Sequence, residues 1–201
     1  MKTNVRMETT NKIGARELAV AALFAALSYI GFQVFRFDIP VGTEKTAFHL
    51  GNTFVALSAL LLGGPLGGLS GALGLTIADL TSGYATSAPK TFVLKLVIGL
   101  IVGFVAHNIF EINTVKDKKK IVYFTIISTC SGLFFNVVAD PVVGFFYKKF
   151  ILGLPHSISE TFAKMSAVTT SVNAVISIMC ATILYLALRP VLSKMGVLEK
   201  K

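Results

Sequence analysis

The chain has no tryptophan, only two cysteines and only 14% charged residues among its 201. So few charges exclude an ordinary soluble domain, where about a quarter of residues are charged. Without tryptophan, any aromatic belt at a membrane surface must come from the five tyrosines and 16 phenylalanines. Cys130 and Cys180 fall inside apolar stretches without metal-ligand spacing. They read as small packing hydrophobes, say little about redox compartment, and give no reason to expect a metal. No phosphate-binding G-x-x-x-x-G-K-[ST] loop occurs, so the chain carries no P-loop signature. No cofactor is expected. Neither a linker, a low-complexity segment, a second domain nor a coarse internal repeat is evident, and the missing repeat argues against inverted-repeat secondary transporters.

What the chain does have is apolar length. It is 54% hydrophobic with a mean hydropathy of +0.74. Its apolar runs reach the roughly 20 residues that cross about 30 Å of hydrocarbon. The expected fold is an all-α integral membrane protein, a bundle of six transmembrane helices with both termini cytoplasmic. Residues 1–201 read as one membrane domain: a basic N-terminal arm (1–16), the bundle (17–188) and a tail (189–201). The spans run from about Glu17 to Phe35, His49 to Leu62, Pro65 to Ser82, Pro89 to Ile109, Ile121 to Tyr147 and Glu160 to Leu188. The first is read as retained, since no convincing signal-peptidase site follows the arm. The second and third are short and glycine-rich, and are expected to be tilted, irregular or incompletely spanning.

The formal charge is +9, yet the basic residues lie between apolar spans rather than on a polar face. They point to membrane orientation and not to nucleic acid. Lys2, Arg6, Lys12, Arg16, Lys116, Lys118, Lys119, Lys120, Arg189, Lys194, Lys200 and Lys201 fall on one side of six spans. Arg36, Lys45, Lys90, Lys148 and Lys149 fall on the other. The larger set belongs in the cytoplasm.

The stretch from His49 to Lys95 is nearly all apolar or small, with polar groups at its ends. Gly63-Gly64-Pro65 is a tight turn between two antiparallel helices. That turn brings His49 and Asn52 to the same outward-facing end as Asp79 and Tyr84, where they read as a candidate binding site or as interfacial residues at helix ends. Ionisable groups inside spans cost about 2.5–3.5 kcal/mol and usually face a cavity or a partner. Asp79 and Asp140 are such groups. Asn136 and Asp140 share a helical face that Gly144 and Tyr147 continue, and Pro141 suits an irregular, cavity-lining segment. Thr91 and Lys95 are also four apart. Lys95 reads either as an ion-pair partner of Asp79 or Asp140 or as a ligand contact. Asn173, with Ser166, Thr169, Thr170 and Ser177, forms a polar stripe suited to helix–helix hydrogen bonding. Asp140 and Asn136 suit a small heteroaromatic ligand with ring nitrogens, amino or hydroxyl groups. Tyr84, Tyr147, Phe48 and Phe146 are candidates for its stacking face.

Two small-residue patterns stand out. Ala15, Ala19, Ala22 and Ala26 make one narrow face of the first helix, which serves either internal packing or docking onto another membrane protein. Gly64, Gly67, Gly68, Gly71 and Gly74 let the third helix approach its neighbours closely. Gly68-Leu69-Ser70-Gly71 also resembles the nucleophile motif of rhomboid intramembrane proteases. A serine needs a base within reach, and none of His49, His107 and His156 lies within the last span.

The run from His49 to Gly103 resembles the riboflavin-transporter-like S components of energy-coupling factor (ECF) vitamin transporters. The shared features are the His-Leu-Gly-Asn helix start, the Gly-Pro-x-x-Gly turn, the Ala-Asp-x-x-Ser-Gly-Tyr end and the Pro-x-Thr-x-x-x-Lys helix start. They cover about a quarter of the chain, while six-span topology and length agree over all of it. The resemblance implies a multi-pass subunit of the bacterial plasma membrane that captures one vitamin or precursor from outside. It would dock on a transmembrane T component driven by two ATPase subunits, with Ala15, Ala19, Ala22 and Ala26 as the docking face. Residues 36–48 would act as a lid. A small polar ring of the pyridoxine or hydroxymethylpyrimidine type is preferred, with riboflavin as the alternative.

Overall fold

A computed structural model describes residues 13–195. Most of the expected basic arm (Lys2, Arg6, Lys12) and the end of the tail (Lys200, Lys201) lie outside the described residues. Six α-helices form a bundle: α1 (Ala15–Gln33), α2 (Gly51–Leu62), α3 (Gly64–Thr81), α4 (Ala88–Gly103), α5 (Lys118–Phe146) and α6 (His156–Lys194). Among the described residues, four helical stretches are long and apolar enough to cross a membrane: Ala15–Gln33, Ala85–Ile109, Lys118–Ile151 and His156–Lys194. α2 has 12 residues, about 18 Å at 1.5 Å per residue, too short to cross alone. α3 has 18, diluted by glycine and Asp79.

Local sequence explains the joints. Gly63, at φ 84°, ends α2 in a backbone region that other residues enter only at a cost. Pro65 then occupies the first turn of α3, where its missing N–H leaves no bond unmade. Asp117 caps α5, accepting from the backbone N–H of Lys119 at 2.8 Å. α5 runs unbroken through Pro141. The irregularity expected at Pro141 is not found there; a π-type turn opens six residues on, at residues 147–151, and α4 ends in another at 104–109.

α3 sits among α1, α2 and α4 because its glycines remove the side chains that would hold them off. Gly68 lies against Gly99 of α4, and Gly64 against Gly103. Both pairs are spaced four apart, so backbone meets backbone along a seam. A Cβ at Gly74 would collide with the Ala25 carbonyl of α1. The close approach expected of these glycines is therefore present.

The bundle buries many polar side chains beside its apolar core and turns large apolar ones outward. Ser58, Thr125, Ser128, Thr129, Ser166 and Ser177 are fully or almost fully buried, whereas Phe104, Phe134, Val175, Met179 and Ile183 are exposed. That arrangement suits lipid surroundings, where the outer face needs no polar cover. Ala15, Ala19, Ala22 and Ala26 all face outward, while Ala21, Phe24 and Ser28 of the same helix face the bundle.

Residues 36–48, expected as a lid loop, form a hairpin between α1 and α2. β1 (Phe37–Val41) pairs antiparallel with β2 (Glu44–Phe48), Phe37 opposite Phe48 and Val41 opposite Glu44. Gly42, at φ 62°, opens the two-residue turn.

Candidate functional site

The turn at Gly63 and the hairpin bring the ends of α1, α2, α3 and α4 to one end of the bundle, and α5 and α6 close the ring. A cavity open to solvent lies between them. His49, Asn52, Asp79, Tyr84, Lys95, Asp140 and Asn173 all line it. Asn136 stands behind Lys95 and accepts from its Nζ at 3.2 Å. Tyr147 is half-buried in the π-type turn and is not among the lining residues.

Asp140 does not pair with Lys95. Its Oδ1 accepts from Lys90 Nζ at 2.7 Å, and its Oδ2 accepts from the Ser166 hydroxyl. Gly144, one turn along α5, makes the room: a Cβ there would meet the Phe162 ring at 3.2 Å and Lys90 Nζ at 3.5 Å. Lys90 and Lys148, counted from sequence among the outward-loop charges, are both buried. The correction follows from partners: each ammonium has a carboxylate, which offsets its desolvation. The wet side of that end thereby loses two cations, which sharpens the charge asymmetry between the two ends.

Asp79 is 4% exposed, and Thr91 lines the cavity beside its carboxylate. Lys95 is 7% exposed. Among the described residues neither has an oppositely charged partner within 4 Å. The ion-pair reading of Lys95 is thus not the arrangement found. Asn52 is 1% exposed, and its side-chain carbonyl has no hydrogen-bond partner. Buried polar groups are seldom left so.

Asn173 behaves differently. Its Nδ2 donates to the Ala47 carbonyl at 3.0 Å, and its Oδ1 accepts from the His49 backbone N–H at 3.0 Å. Both ends of the amide are committed to fixing the hairpin's exit against α6. The Thr46 and Thr169 hydroxyls meet at 2.8 Å beside it, and Thr53 donates to Ser177 at 3.2 Å. The stripe on α6 is therefore an interhelical and hairpin-holding device.

The aromatic corner is Phe32, His49 and Tyr84. Phe32 lies 4.8 Å from the His49 ring and 5.5 Å, edge to face, from Tyr84. Phe162 adds a ring from α6. Phe146 is instead 54% exposed on the outside, and Phe48 does not line the cavity. His49 Nδ1 accepts from the Gly51 N–H at 3.1 Å, which leaves Nε2 to carry the proton of a neutral ring.

The hairpin is pinned over this corner by charge. Asp38 accepts from Tyr84 Oη at 2.7 Å and Lys45 Nζ at 3.1 Å, with Arg36 Nε at 2.9 Å. Burial raises the Asp38 pKa, but the Tyr84 and Lys45 hydrogen bonds and the Arg36 charge outweigh it and hold the carboxyl below its usual range. Burial, then Asp38 itself, pushes the Tyr84 phenol up, so it stays a donor. Lys45 also donates to the Ser82 carbonyl at 2.9 Å. At the hairpin tip Glu44 meets Lys148, whose Nζ lies 4.1 Å from the Phe162 ring centre.

Ser70 gives nothing to a protease reading. Its hydroxyl is buried and donates to the Ala21 carbonyl of α1 at 2.5 Å. His107 Nε2 contacts the Ala59 carbonyl at 3.2 Å, near the opposite end of α2. Sequence reasoning missed Lys90, Thr46, Phe32 and Phe162 as lining residues. Lys90 carried a usable signal, being five residues before Lys95 at the same helix start.

No curated protein and no solved structure matches the chain. A family model described as "ECF-type riboflavin transporter, S component" matches residues 12–190.

Proposed function

The chain belongs to the S components of ECF importers, in the riboflavin-transporter family, and on that premise we propose that it captures a small water-soluble vitamin or precursor of the pyridoxine or hydroxymethylpyrimidine type. S components are transport subunits rather than enzymes, and work with a T component and ATPases. In the proposed arrangement all six helices form a multi-pass domain of the bacterial plasma membrane, both termini inside. The cavity then opens outward, the hairpin at residues 37–48 covers it, and ligand passes to the T component and two ATPase subunits.

One observation supports capture above the rest: a bundle apolar on its outside gathers buried, incompletely satisfied polar groups around a single end cavity. Among the described residues the Asn52 side-chain carbonyl has no hydrogen-bond partner, and Lys95 donates to one neutral amide, with three N–H donors to satisfy. Such groups stay costly until a ligand completes them. Asp140, Asn136, Asp79, Lys95, Tyr84, His49 and Asn52 are proposed to contact it, with Asn173 positioning the hairpin. Tyr147 keeps only a supporting place at the end of α5. The outward alanines 15, 19, 22 and 26 are proposed as the T-component face, since their helix packs inward through other residues.

Riboflavin is the second reading, favoured by the description of the matched family. Besides His49 and Tyr84, the ionisable side chains of Lys45, Asp79, Lys90, Lys95 and Asp140 line the cavity, and so charged a lining supports the smaller, more polar ligand.

The deciding experiment is purification in mild detergent followed by mass spectrometry of the co-purifying small molecule, with titration against the three vitamin types. One of them should bind at sub-micromolar level, and Asp140→Ala or Asn136→Ala should weaken it. Absence of any bound or binding vitamin would remove this function.

A further inference from the structure

Asp79 on α3 and Lys95 on α4 are opposite charges on adjacent helices, both more than nine-tenths buried and both lining one cavity. Two such groups would ordinarily close on each other. Here Lys95 donates to Asn136 and Asp79 faces Thr91, and no ion pair within 4 Å involves either among the described residues. The nearby Lys90–Asp140 pair shows that this end of the bundle does form direct ion pairs. A buried charge without a counter-charge is expensive. Two of opposite sign that line one cavity without a direct ion pair leave room for one occupant carrying both complements.

We propose that the site selects a dipolar hydroxy-N-heteroaromatic ligand, with an anionic ring oxygen on Lys95 Nζ and a protonated ring nitrogen on the Asp79 carboxylate. The inference rests on the vitamin-capture reading and sharpens it. A 3-hydroxypyridine reaches this form by moving one proton from its ring hydroxyl to its ring nitrogen, with no change in net charge. An aminopyrimidine with only an aliphatic hydroxymethyl has no acidic ring oxygen to give up. An isoalloxazine imide presents neutral N–H and carbonyl groups. Neither neutralises both walls. The unpartnered carbonyl of Asn52 lies on the same cavity and accepts from a ligand hydroxyl.

The test uses the full-length protein in lipid nanodiscs. Pyridoxine, 4-amino-5-hydroxymethyl-2-methylpyrimidine and riboflavin are titrated separately, and the absorption spectrum of bound pyridoxine is recorded. Pyridoxine should bind tightest and show the long-wavelength band of its dipolar tautomer. Asp79→Asn and Lys95→Met should each lower its affinity about tenfold or more, the loss of one charge-assisted hydrogen bond, and move the bound spectrum towards the uncharged form. Should either variant fail to fold, the wild-type spectrum decides. Pyridoxine bound as its neutral tautomer, or tighter binding of either other compound, overturns this inference and leaves vitamin capture standing. Binding of none of the three, with none co-purifying, removes both.

Discussion

Glu44 at the tip of the hairpin and Lys148 in the turn after α5 meet at 2.5 Å, although 104 residues separate them in the chain. Lys148 is wholly buried and its partner's side chain only 14% exposed. The covering hairpin is thus fastened at its far end to the α5–α6 connection, independently of the Asp38 cluster near its base.

Removing one partner of a buried pair leaves an uncompensated charge, at a cost of about 3–5 kcal/mol. Lys148→Met and Glu44→Gln should therefore loosen the hairpin far more than the double variant does. Hydrogen exchange of the residue 37–48 amides would show this as faster exchange there, with the α3 and α4 amides unchanged. Equal protection in the wild type and both single variants would refute the fastening.

The Asp38 cluster gives a pH dependence of known sign. Its carboxyl titrates lower in the folded protein than in the unfolded chain, whose ordinary value is about 3.9. Its contribution is fully present above that value and is lost as pH falls through the depressed folded one. Hairpin protection should be flat between about pH 5 and 8 for this group and fall below about pH 4. Asp38→Asn should remove the acid-dependent step; an unchanged step would assign it elsewhere.

The outward alanines make a steric prediction. Ala19→Leu with Ala22→Leu places bulk on a face free of contacts within the bundle, so vitamin affinity and melting temperature should stay within error of wild type. Assembly with the T component should be lost, since close approach of helices in lipid depends on small residues. Co-purification of T component with wild type and variant alike would show that docking uses another face.

The glycine seam is expected to be intolerant. A side chain at Gly99 runs into the Gly68 backbone, where no rotamer offers relief. Overpacking typically costs about 1–3 kcal/mol, and backbone contact belongs at the upper end. Gly99→Leu should lower the thermal midpoint in detergent by several degrees more than Gly153→Leu, which meets nothing within 4 Å but carries its own backbone strain at φ 67°.

Much of this was legible in the sequence, and the failures have physical causes. The turn at Gly63-Gly64-Pro65 announced itself because glycine and proline act locally, and it alone gathered His49, Asn52, Asp79 and Tyr84. The close approach of α3 was readable from glycine spacing for the same reason. The hairpin was harder to read, because Phe37, Ile39 and Val41 alternate but Pro40 interrupts them, EKTAF does not alternate, and the pair is held by α6 through Thr46–Thr169 and Asn173. Lys90 and Lys148 were misplaced because a lysine next to a helix end looks alike whether it faces water or a carboxylate brought from 50 or 104 residues away. The partner of Lys95 failed in the same manner: sequence offers two aspartates, and only the fold assigns Asp140 to Lys90.

The seam between α3 and α4 has one more effect. With no side chains between Gly64, Gly68, Gly99 and Gly103, nothing compressible lies there to yield. Asp79 and Lys95 ride on those two helices, so backbone contact along the seam fixes how the two helix ends that carry the acid and the amine sit against each other.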